Sequence, residues 1–137
     1  MTRGVLALSF ALVLAFVTQT AAEAVAVHGV ANNVPYVMAF RPMNTQQQPY
    51  AGQLKLNFNN GIISGTYTDI SIRPGGPFAN AHNLAVNGGV SGSSLRLQIG
   101  QQTFRGTMTG DKMSGSATIR GTVYVFEAHP GSPGSGK

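Results

Sequence analysis

Residues 54–68 read LKLNFNNGIISGTYT, and this pattern indicates the fold class. Apolar and polar residues alternate on both sides of Asn60-Gly61, which is the period of a half-buried β-strand. Asn-Gly between two alternating runs is the strongest short signal for a β-hairpin, because both residues of such a turn must accept positive φ. With these two residues as the loop, Phe58 lies opposite Ile63 on the apolar face. The stretch therefore predicts an antiparallel hairpin with one face buried.

The hairpin pattern recurs at residues 95–109, LRLQIGQQTFRGTMT, which align with residues 54–68 without a gap. A shorter motif, an apolar residue, any residue, glycine and then serine or threonine, occurs at residues 63–66, 90–93, 104–107 and 113–116. We therefore predict an internal repeat. Two copies of the long hairpin are fewer than a stacked solenoid needs, so the pattern favours a meander of similar hairpins.

Gly110-Asp111 predicts a further turn, because a leading glycine suits a two-residue loop of type II′. In the register that this turn sets, Met108 lies opposite Met113. Both methionines then lie at a hairpin end, near the rim of the sheet.

The same register places Gly106 opposite Gly115, with Leu97 expected in the same row of the next strand. A glycine pair removes side-chain bulk from one strip of the inner surface. The strip can let the sheet coil tightly, let an aromatic ring lie flat on the backbone, or leave room for a ligand. We favour the first two explanations, which are structural, and expect Tyr124 or Phe126 to fill the space.

The chain beyond its N-terminal segment has the pattern of an all-β protein. Short alternating runs are separated by Gly, Asn, Ser and Thr, and no run has the spacing of an amphipathic helix. We predict a single antiparallel meander of about 7–8 short strands. The runs lie near residues 34–41, 53–59, 62–72, 83–87, 90–99, 103–109, 112–120 and 122–128. A meander of this size avoids exposed edges by closing into a small barrel, and a two-sheet sandwich is the alternative.

One domain, residues 25–129, is expected to hold this barrel. Within it, residues 25–33 have no assigned element. Residues 44–49, which include three glutamines, are predicted to form a loop. Residues 130–137 consist mainly of Gly, Ser and Pro, which predicts a flexible tail.

The N-terminus has the organisation of a secretory signal peptide. Arg3 gives a positive start, residues 5–17 form an apolar run, and residues 22–24, Ala-Glu-Ala, form a small-residue cleavage site. A membrane-spanning helix needs about twenty apolar residues, and this run meets Thr18 before that length. We predict a cleaved signal helix over residues 1–24, a secreted protein in the periplasm or outside the cell, and no transmembrane anchor after cleavage.

The chain has no cysteine, so no disulfide crosslinks the fold and no thiol can act as a nucleophile. Its formal net charge is +5, and the Lys and Arg residues are scattered one at a time. Nucleic-acid-binding proteins usually cluster their cations and interleave aromatic residues, so we predict no nucleic-acid partner. Dispersed positive charge favours solubility and a weak attraction to an anionic component of a cell envelope.

Groups that carry catalysis or bind metals are few in the predicted mature chain. Its carboxylates and histidines are Asp69, Asp111, Glu127, His28, His82 and His129. Hydrolysis by paired carboxylates needs two acids across one cleft, whereas Asp111 is explained by a turn and Asp69 by a strand end. The histidine spacings match no metal motif, although closure of a barrel would bring His28 towards His129. We predict a non-enzymatic protein with no cofactor and no metal.

A local resemblance involves residues 61–68, GIISGTYT, which look like the second hairpin of the avidin-type biotin-binding barrels. The resemblance implies that Tyr67 contacts a ligand. Pockets of that family are lined by tryptophan, and this chain has none. The resemblance is confined to these residues, and we do not assign the chain to the family.

The candidate ligand-binding residues are expected together at one open end of the barrel. Tyr67, Met108 and Met113 lie at hairpin ends, and the connection that contains Arg73 and Phe78 is longer than a hairpin needs. Long loops over a barrel end often carry binding residues. Tyrosine has a polar tip, methionine adapts to irregular apolar surfaces, and arginine can fork onto a carboxylate or sulfate.

We therefore predict a secreted binding module that holds a small molecule or glycan at the barrel mouth. A structural or adhesive component of the cell envelope is the alternative, and a hydrolytic enzyme of unknown class is the third. A binding module requires an accessible cavity or an exposed patch. A structural component predicts a filled interior with self-association, and an enzyme predicts a cleft with at least two convergent titratable groups.

Overall fold

The described residues form one closed β-barrel. The structure is a computed structural model, and it describes residues 29–132. Its strands are β1 (Val30–Pro42), β2 (Tyr50–Asn59), β3 (Ile62–Asp69), β4 (Leu84–Ser91), β5 (Ser94–Ile99), β6 (Gln102–Thr109), β7 (Lys112–Ile119) and β8 (Thr122–Pro130). Each strand pairs antiparallel with the next, and β8 pairs with β1. The predicted all-β meander and its closure into a barrel are confirmed, and the sandwich alternative is wrong.

Some predictions concern residues outside the described range. They are the signal peptide at residues 1–24, the position of His28 and the end of the predicted tail at residues 133–137. Within residues 29–132, no helix is long and apolar enough to span a membrane.

The turn predicted at Asn60-Gly61 is present in the structure. Asn60 and Gly61 have φ values of 51° and 87°, which a type I′ turn requires at both central residues. Phe58 pairs with Ile63 across this turn. The predicted turn at residues 110–111 also forms, and it sets Met108 opposite Met113 and Gly106 opposite Gly115.

The predicted register between β5 and β6 is wrong by two residues. Leu97 pairs with Phe104, and the residue opposite Gly106 is Leu95. The cause is the position of the turn, because Gly100 takes the positive φ, 59°, and the loop is residues 100–101. A loop that begins at glycine starts one position earlier than the Asn-Gly loop of the first hairpin, so the gapless alignment of the two hairpins misplaces the pairing.

Several strand boundaries also differ from the prediction. The predicted strand at residues 90–99 is divided by a turn in which Gly92 has a φ of 62°, so one copy of the glycine motif is a turn. Strand β3 ends at Asp69, and residues 70–72 belong to the following loop. Strand β1 begins at Val30 within the segment that had no assigned element, and Pro130 belongs to β8 and not to the tail.

Glycines inside the strands let neighbouring backbones approach closely. A Cβ at Gly106 would overlap the carbonyl oxygen of Ser114 and would lie 2.6 Å from the Cα of Gly115. Gly65 in β3 and Gly88 in β4 meet the carbonyl oxygens of the adjacent strand in the same way. Glycine is needed here because the sheet bends sharply enough to close, which is the tight-coiling explanation of the glycine pair.

The inside of the barrel is filled by side chains. Phe126 lies opposite Gly115, as expected for the residue that fills the glycine strip, and its ring meets that of Phe104 edge to face at 5.2 Å. Leu54, Leu56 and many other inward residues are fully buried. The barrel is therefore a packed core, and any binding surface must lie at its ends or on its outside.

Candidate binding sites

The barrel has two ends that differ in their connections. We call the end that holds the connections at residues 43–49, 70–83, 100–101 and 120–121 the upper end. The opposite end, with the turns at residues 60–61, 92–93 and 110–111, is the lower end. The upper end carries the two long loops, and the lower end carries only tight turns and the outer ends of β1 and β8.

The five predicted ligand-binding residues do not meet at one end. Tyr67, Arg73 and Phe78 lie at the upper end, whereas Met108 and Met113 flank the turn at residues 110–111 at the lower end. Met108 and Met113 are buried as part of the core. The expectation of one shared rim is wrong because successive hairpin turns alternate between the ends of a meander.

The lower end is closed by packing and by a hydrogen bond. Tyr36 is buried, and its hydroxyl donates a hydrogen bond of 2.8 Å to the main-chain oxygen of Asp111 in the adjacent turn. Its ring lies 6.2 Å from that of Phe58. Together with Met108 and Met113, these side chains fill the lower part of the interior.

Phe78 closes the upper end. It is the only residue of the buried core of the described chain that does not belong to a strand. Its ring centroid lies 5.0 Å from that of Tyr67, 5.7 Å from that of Phe40 and 6.1 Å from that of Phe104. The long loop was predicted to fold over the mouth, and its aromatic side chain inserts into the barrel.

Tyr67 lies beneath this ring with its hydroxyl buried. The aromatic ring packs against the backbone at Gly52, where even a Cβ would overlap it. The hydroxyl oxygen is buried and has no hydrogen-bond partner. Burial, and to a smaller extent the negative charge of Asp69, raises the pKa of Tyr67 well above its ordinary value.

The carboxylate of Asp69 holds both halves of the upper loop. One oxygen accepts a hydrogen bond from the main-chain N–H of Ser71, and the other accepts one from the N–H of Asn80, both at 3.1 Å. The main chain of Asp69 also donates to the oxygen of Ala81 at 2.9 Å. Asp69 is thus a clamp at the base of the loop that carries Phe78.

Arg73 is directed away from the interior. Its guanidinium lies 4.9 Å above the ring of Tyr50 and donates a hydrogen bond of 3.2 Å to the main-chain oxygen of Gln48. The hydrogen bond ties the first half of the upper loop to the loop at residues 43–49, and the cation–π contact ties it to the start of β2. Arg73 therefore contributes to the structure of the mouth and not to its lining.

An open groove of about 630 Å³ lies on the outer surface near the lower end. It crosses β3, β4, β5 and β6, and it is lined by Asn60, Gly61, Ile62, Gly88, Gly89, Val90, Ser91, Ser94, Leu95, Arg96, Arg105 and Gly106. The lining contains two cations and no acid. We call it the arginine groove.

Arg96 and Arg105 are direct cross-strand neighbours in this groove. Both side chains are exposed, and within residues 29–132 neither guanidinium forms a hydrogen bond or an ion pair. Gly89 is the partner of Arg96 on the other side and Ile62 is the partner of Gly89, so a glycine floor separates the cations from an aliphatic side chain that is 65% exposed. The groove combines two unpaired positive charges with one apolar contact.

A second groove, of about 350 Å³, lies on the outside of β1, β7 and β8. Its lining includes both Arg41 and Glu127. Because the lining contains a carboxylate as well as a cation, this groove is less favourable for binding an anion than the arginine groove.

The sequence analysis missed the arginine groove because of the register between β5 and β6. Arg96 and Arg105 become cross-strand neighbours only if the turn is at residues 100–101. The signal was available, since Gly100 is the residue best suited to positive φ in that connection. With the predicted turn, one position later, the two arginines are not opposite each other and do not form a pair.

The titratable residues considered in the sequence analysis lie apart. Asp69 is at the upper end, Asp111 is in a lower turn, and Glu127 is on the outer face of β8 opposite Ser114. No group of three or more His, Asp or Glu residues within residues 29–132 is placed to hold a metal ion. His129 pairs with Val37 in β1, and its distance from His28 falls outside the described residues.

Comparison of the chain with known protein families, with curated proteins and with solved structures found no match.

Proposed function

We propose that this protein is a secreted, non-enzymatic binding module that holds an acidic glycan in the arginine groove. The observation that carries the proposal is the pair Arg96 and Arg105, which are exposed cross-strand neighbours with no acid in the lining. Like charges directly opposite each other in a sheet are destabilising. An anion bound between them relieves that repulsion.

The chemistry of the groove favours a carboxylated or sulfated sugar chain. Arginine presents a planar fork of donors that matches the oxygens of a carboxylate or a sulfate. Asn60, Ser91 and Ser94 add polar groups that suit sugar hydroxyls, and Ile62 offers an apolar contact for the face of a sugar ring. Because the groove is open at the surface, it suits a segment of an extended polymer better than an enclosed small molecule.

The test is binding of heparin, a sulfated polysaccharide, by isothermal titration calorimetry at low and moderate salt. Replacing both arginines in the variant Arg96→Gln/Arg105→Gln should weaken binding about a hundredfold, at about tenfold for each charged hydrogen-bonding partner removed. The matched control Lys112→Gln/Arg120→Gln removes the same charge from exposed turn-proximal positions outside the groove. It should leave the affinity nearly unchanged.

If the control variant loses as much affinity as the groove variant, the binding is a property of net charge, and the proposal is wrong. Neutral dextran serves as the probe for sugar binding without charge. Equal affinity for dextran and heparin would also contradict an anion site.

A structural or adhesive role in the cell envelope is the second candidate. The observation that favours it is the filled interior, closed by Phe78 above and by Tyr36 with the two methionines below. This role requires self-association or retention by the cell wall. Concentration-dependent sedimentation of the wild-type protein, with no binding of heparin, would favour it over the glycan-binding module.

Export is part of the same proposal. The apolar run before residues 22–24 motivates a mature chain that begins at or near Val25. Mass spectrometry of secreted protein measures that N-terminus directly. Recovery of the intact chain, beginning at Met1, from the cytoplasm would contradict it.

A further inference from the structure

The strands of the barrel leave a space at the upper end that they do not fill themselves. Phe78 reaches into that space from the long loop, and every other buried core residue of the described chain comes from a strand. The surrounding rings of Tyr67, Phe40 and Phe104 contact it from several sides. Withdrawal of Phe78 would leave an aromatic-walled space about the size of one benzene ring.

Tyr67, whose ring is in contact with Phe78, carries a buried hydroxyl against the backbone of Gly52 that Phe78 does not satisfy. The residue is fully buried, its ring is in contact with Phe78, and its hydroxyl has no hydrogen-bond partner. A buried hydroxyl without a partner is unfavourable, because it has lost its hydrogen bonds to water. An occupant with its own hydrogen-bonding group would satisfy Tyr67, whereas a phenyl ring cannot.

The loop that carries Phe78 is held mainly at its two ends, where main-chain hydrogen bonds run from Ile70 to Ala51 and from Asp69 to Ala81. Asp69 accepts hydrogen bonds from Ser71 and Asn80, which lie on opposite sides of the inserted ring. Arg73 stays anchored on Tyr50, so the part that can swing begins after it. That part starts with Pro74 and Gly75, both exposed, and Gly75 has a φ of 84°, which marks a backbone segment with glycine-specific freedom.

We propose that the upper end is a second binding site, for a small aromatic molecule with one hydrogen-bonding group, which takes the place of the Phe78 ring when the loop opens. Its aromatic ring packs on Phe40 and Phe104, and its polar group pairs with the hydroxyl of Tyr67. The site is separate from the arginine groove and does not depend on it. Asp69 sets how often the loop is open, because its hydrogen bond from Asn80, on the part of the loop that moves, is broken on opening.

The test uses the full mature protein with phenol and toluene as probes, measured by nuclear magnetic resonance titration. The wild-type protein should bind phenol more tightly than toluene. Asp69→Asn should tighten apparent binding of phenol about tenfold, because the open state becomes more populated and the apparent affinity scales with that population. Asp111→Asn, which removes a carboxylate at the lower end, is the matched control and should change nothing.

Two further variants separate the parts of the site. Phe78→Ala should bind both probes more tightly than the wild type, since no side chain has to be displaced. Tyr67→Phe should abolish the preference for phenol over toluene while still binding toluene. A preference that persists in Tyr67→Phe would overturn the role of its hydroxyl.

Binding to Phe78→Ala alone, with none to the wild type or to Asp69→Asn, would overturn the proposal. In that case the alanine variant contains an engineered cavity, and Phe78 is a fixed part of the core. If Phe78→Ala does not fold, the comparison of the wild type with Asp69→Asn and Asp111→Asn decides the question by itself. Equal affinities in these three proteins would also count against gating by Asp69.

Discussion

Which side chain a strand position in this barrel can accept depends on the atoms that lie against it. Gly106 and Gly89 show the difference, because both are strand glycines that line the arginine groove. A Cβ at Gly106 would overlap the carbonyl oxygen of Ser114, whereas a Cβ at Gly89 would meet its nearest neighbour, the oxygen of Gly61, at 3.2 Å. The first contact requires the backbone to move, and the second requires only a small shift.

We therefore predict that Gly106→Ala lowers the free energy of unfolding by about 1–3 kcal/mol, the usual range for overpacking. Gly89→Ala should lower it much less. Both substitutions change the unfolded chain in the same way, so the comparison isolates the folded state. Urea unfolding curves with equal midpoints for the two variants would contradict the close approach of β6 and β7.

Tyr67 gives a prediction for alkaline pH. Burial raises its pKa in the folded protein above the unfolded value of about 10. Above pH 10 the unfolded chain releases this proton and the folded chain keeps it, so the free energy of unfolding falls as pH rises. Below pH 10 both states are protonated, and the contribution is fully present.

Between pH 10 and 11.5, Tyr67→Phe should reduce the slope of unfolding free energy against pH by up to about 1.4 kcal/mol per unit. Urea unfolding at half-unit steps of pH measures this slope. Tyr124→Phe, which lies in a half-buried position of β8, is the comparison variant. The same slope in the wild type and in Tyr67→Phe would show that Tyr67 ionises freely in the folded protein.

At the scale of strands and turns, the sequence predicts best where the chemistry of the turn is specific. Asn60-Gly61 admits one turn, and the register that follows from it is correct across β2 and β3. The connection after Ile99 reads Gly-Gln-Gln. The alternation of apolar and polar residues cannot locate the turn within it, because a register shift of two residues keeps every side chain on the same face of the sheet. Only the positive φ of Gly100 distinguishes the registers.

The candidate sites could be predicted from the sequence only in part. The long loop after β3 was identified from its length and its prolines, but the burial of Phe78 depends on a space that eight strands leave in three dimensions. The arginine groove depends on a register that alternation does not encode. Successive turns of a meander lie at opposite ends of the barrel. This rule needs only the order of the strands, and it places Tyr67 and Met108 at different ends.

The pairing of β5 with β6 leads to a prediction about stability. Arg105→Glu places a carboxylate opposite Arg96 and replaces a repulsive cross-strand pair by an attractive one. The free energy of unfolding should rise by about 0.2–1 kcal/mol, and the gain should shrink in 1 M salt because exposed charges are screened. Lys55→Glu, which faces Thr66 and Pro35 instead of a cation, is the control. An equal gain in the control would mean that reduced net charge, and not the strand pair, is responsible.

For the whole molecule, stability depends on closing the barrel without a covalent crosslink, since the chain has no cysteine. The closing contact is the pairing of β8 with β1, and its last three pairs join Ala128, His129 and Pro130 to residues 36–38. Ala128 also pairs with Met113 in β7, so the end of β8 connects both neighbours. Loss of these pairs exposes two unpaired edges and opens the core around Tyr36.

We predict that a chain ending at Ser132 unfolds like the full protein, because it keeps the pairs of β8 and the hydrogen bond of 2.9 Å from Gly131 to Pro35. A chain ending at Glu127 should lose cooperative unfolding and associate through its open edges. Circular dichroism during urea unfolding measures the first effect, and size-exclusion chromatography measures the second. Cooperative, monomeric behaviour of the shorter chain would mean that the first seven strands with the start of β8 form a stable core, and that closure contributes little to the fold.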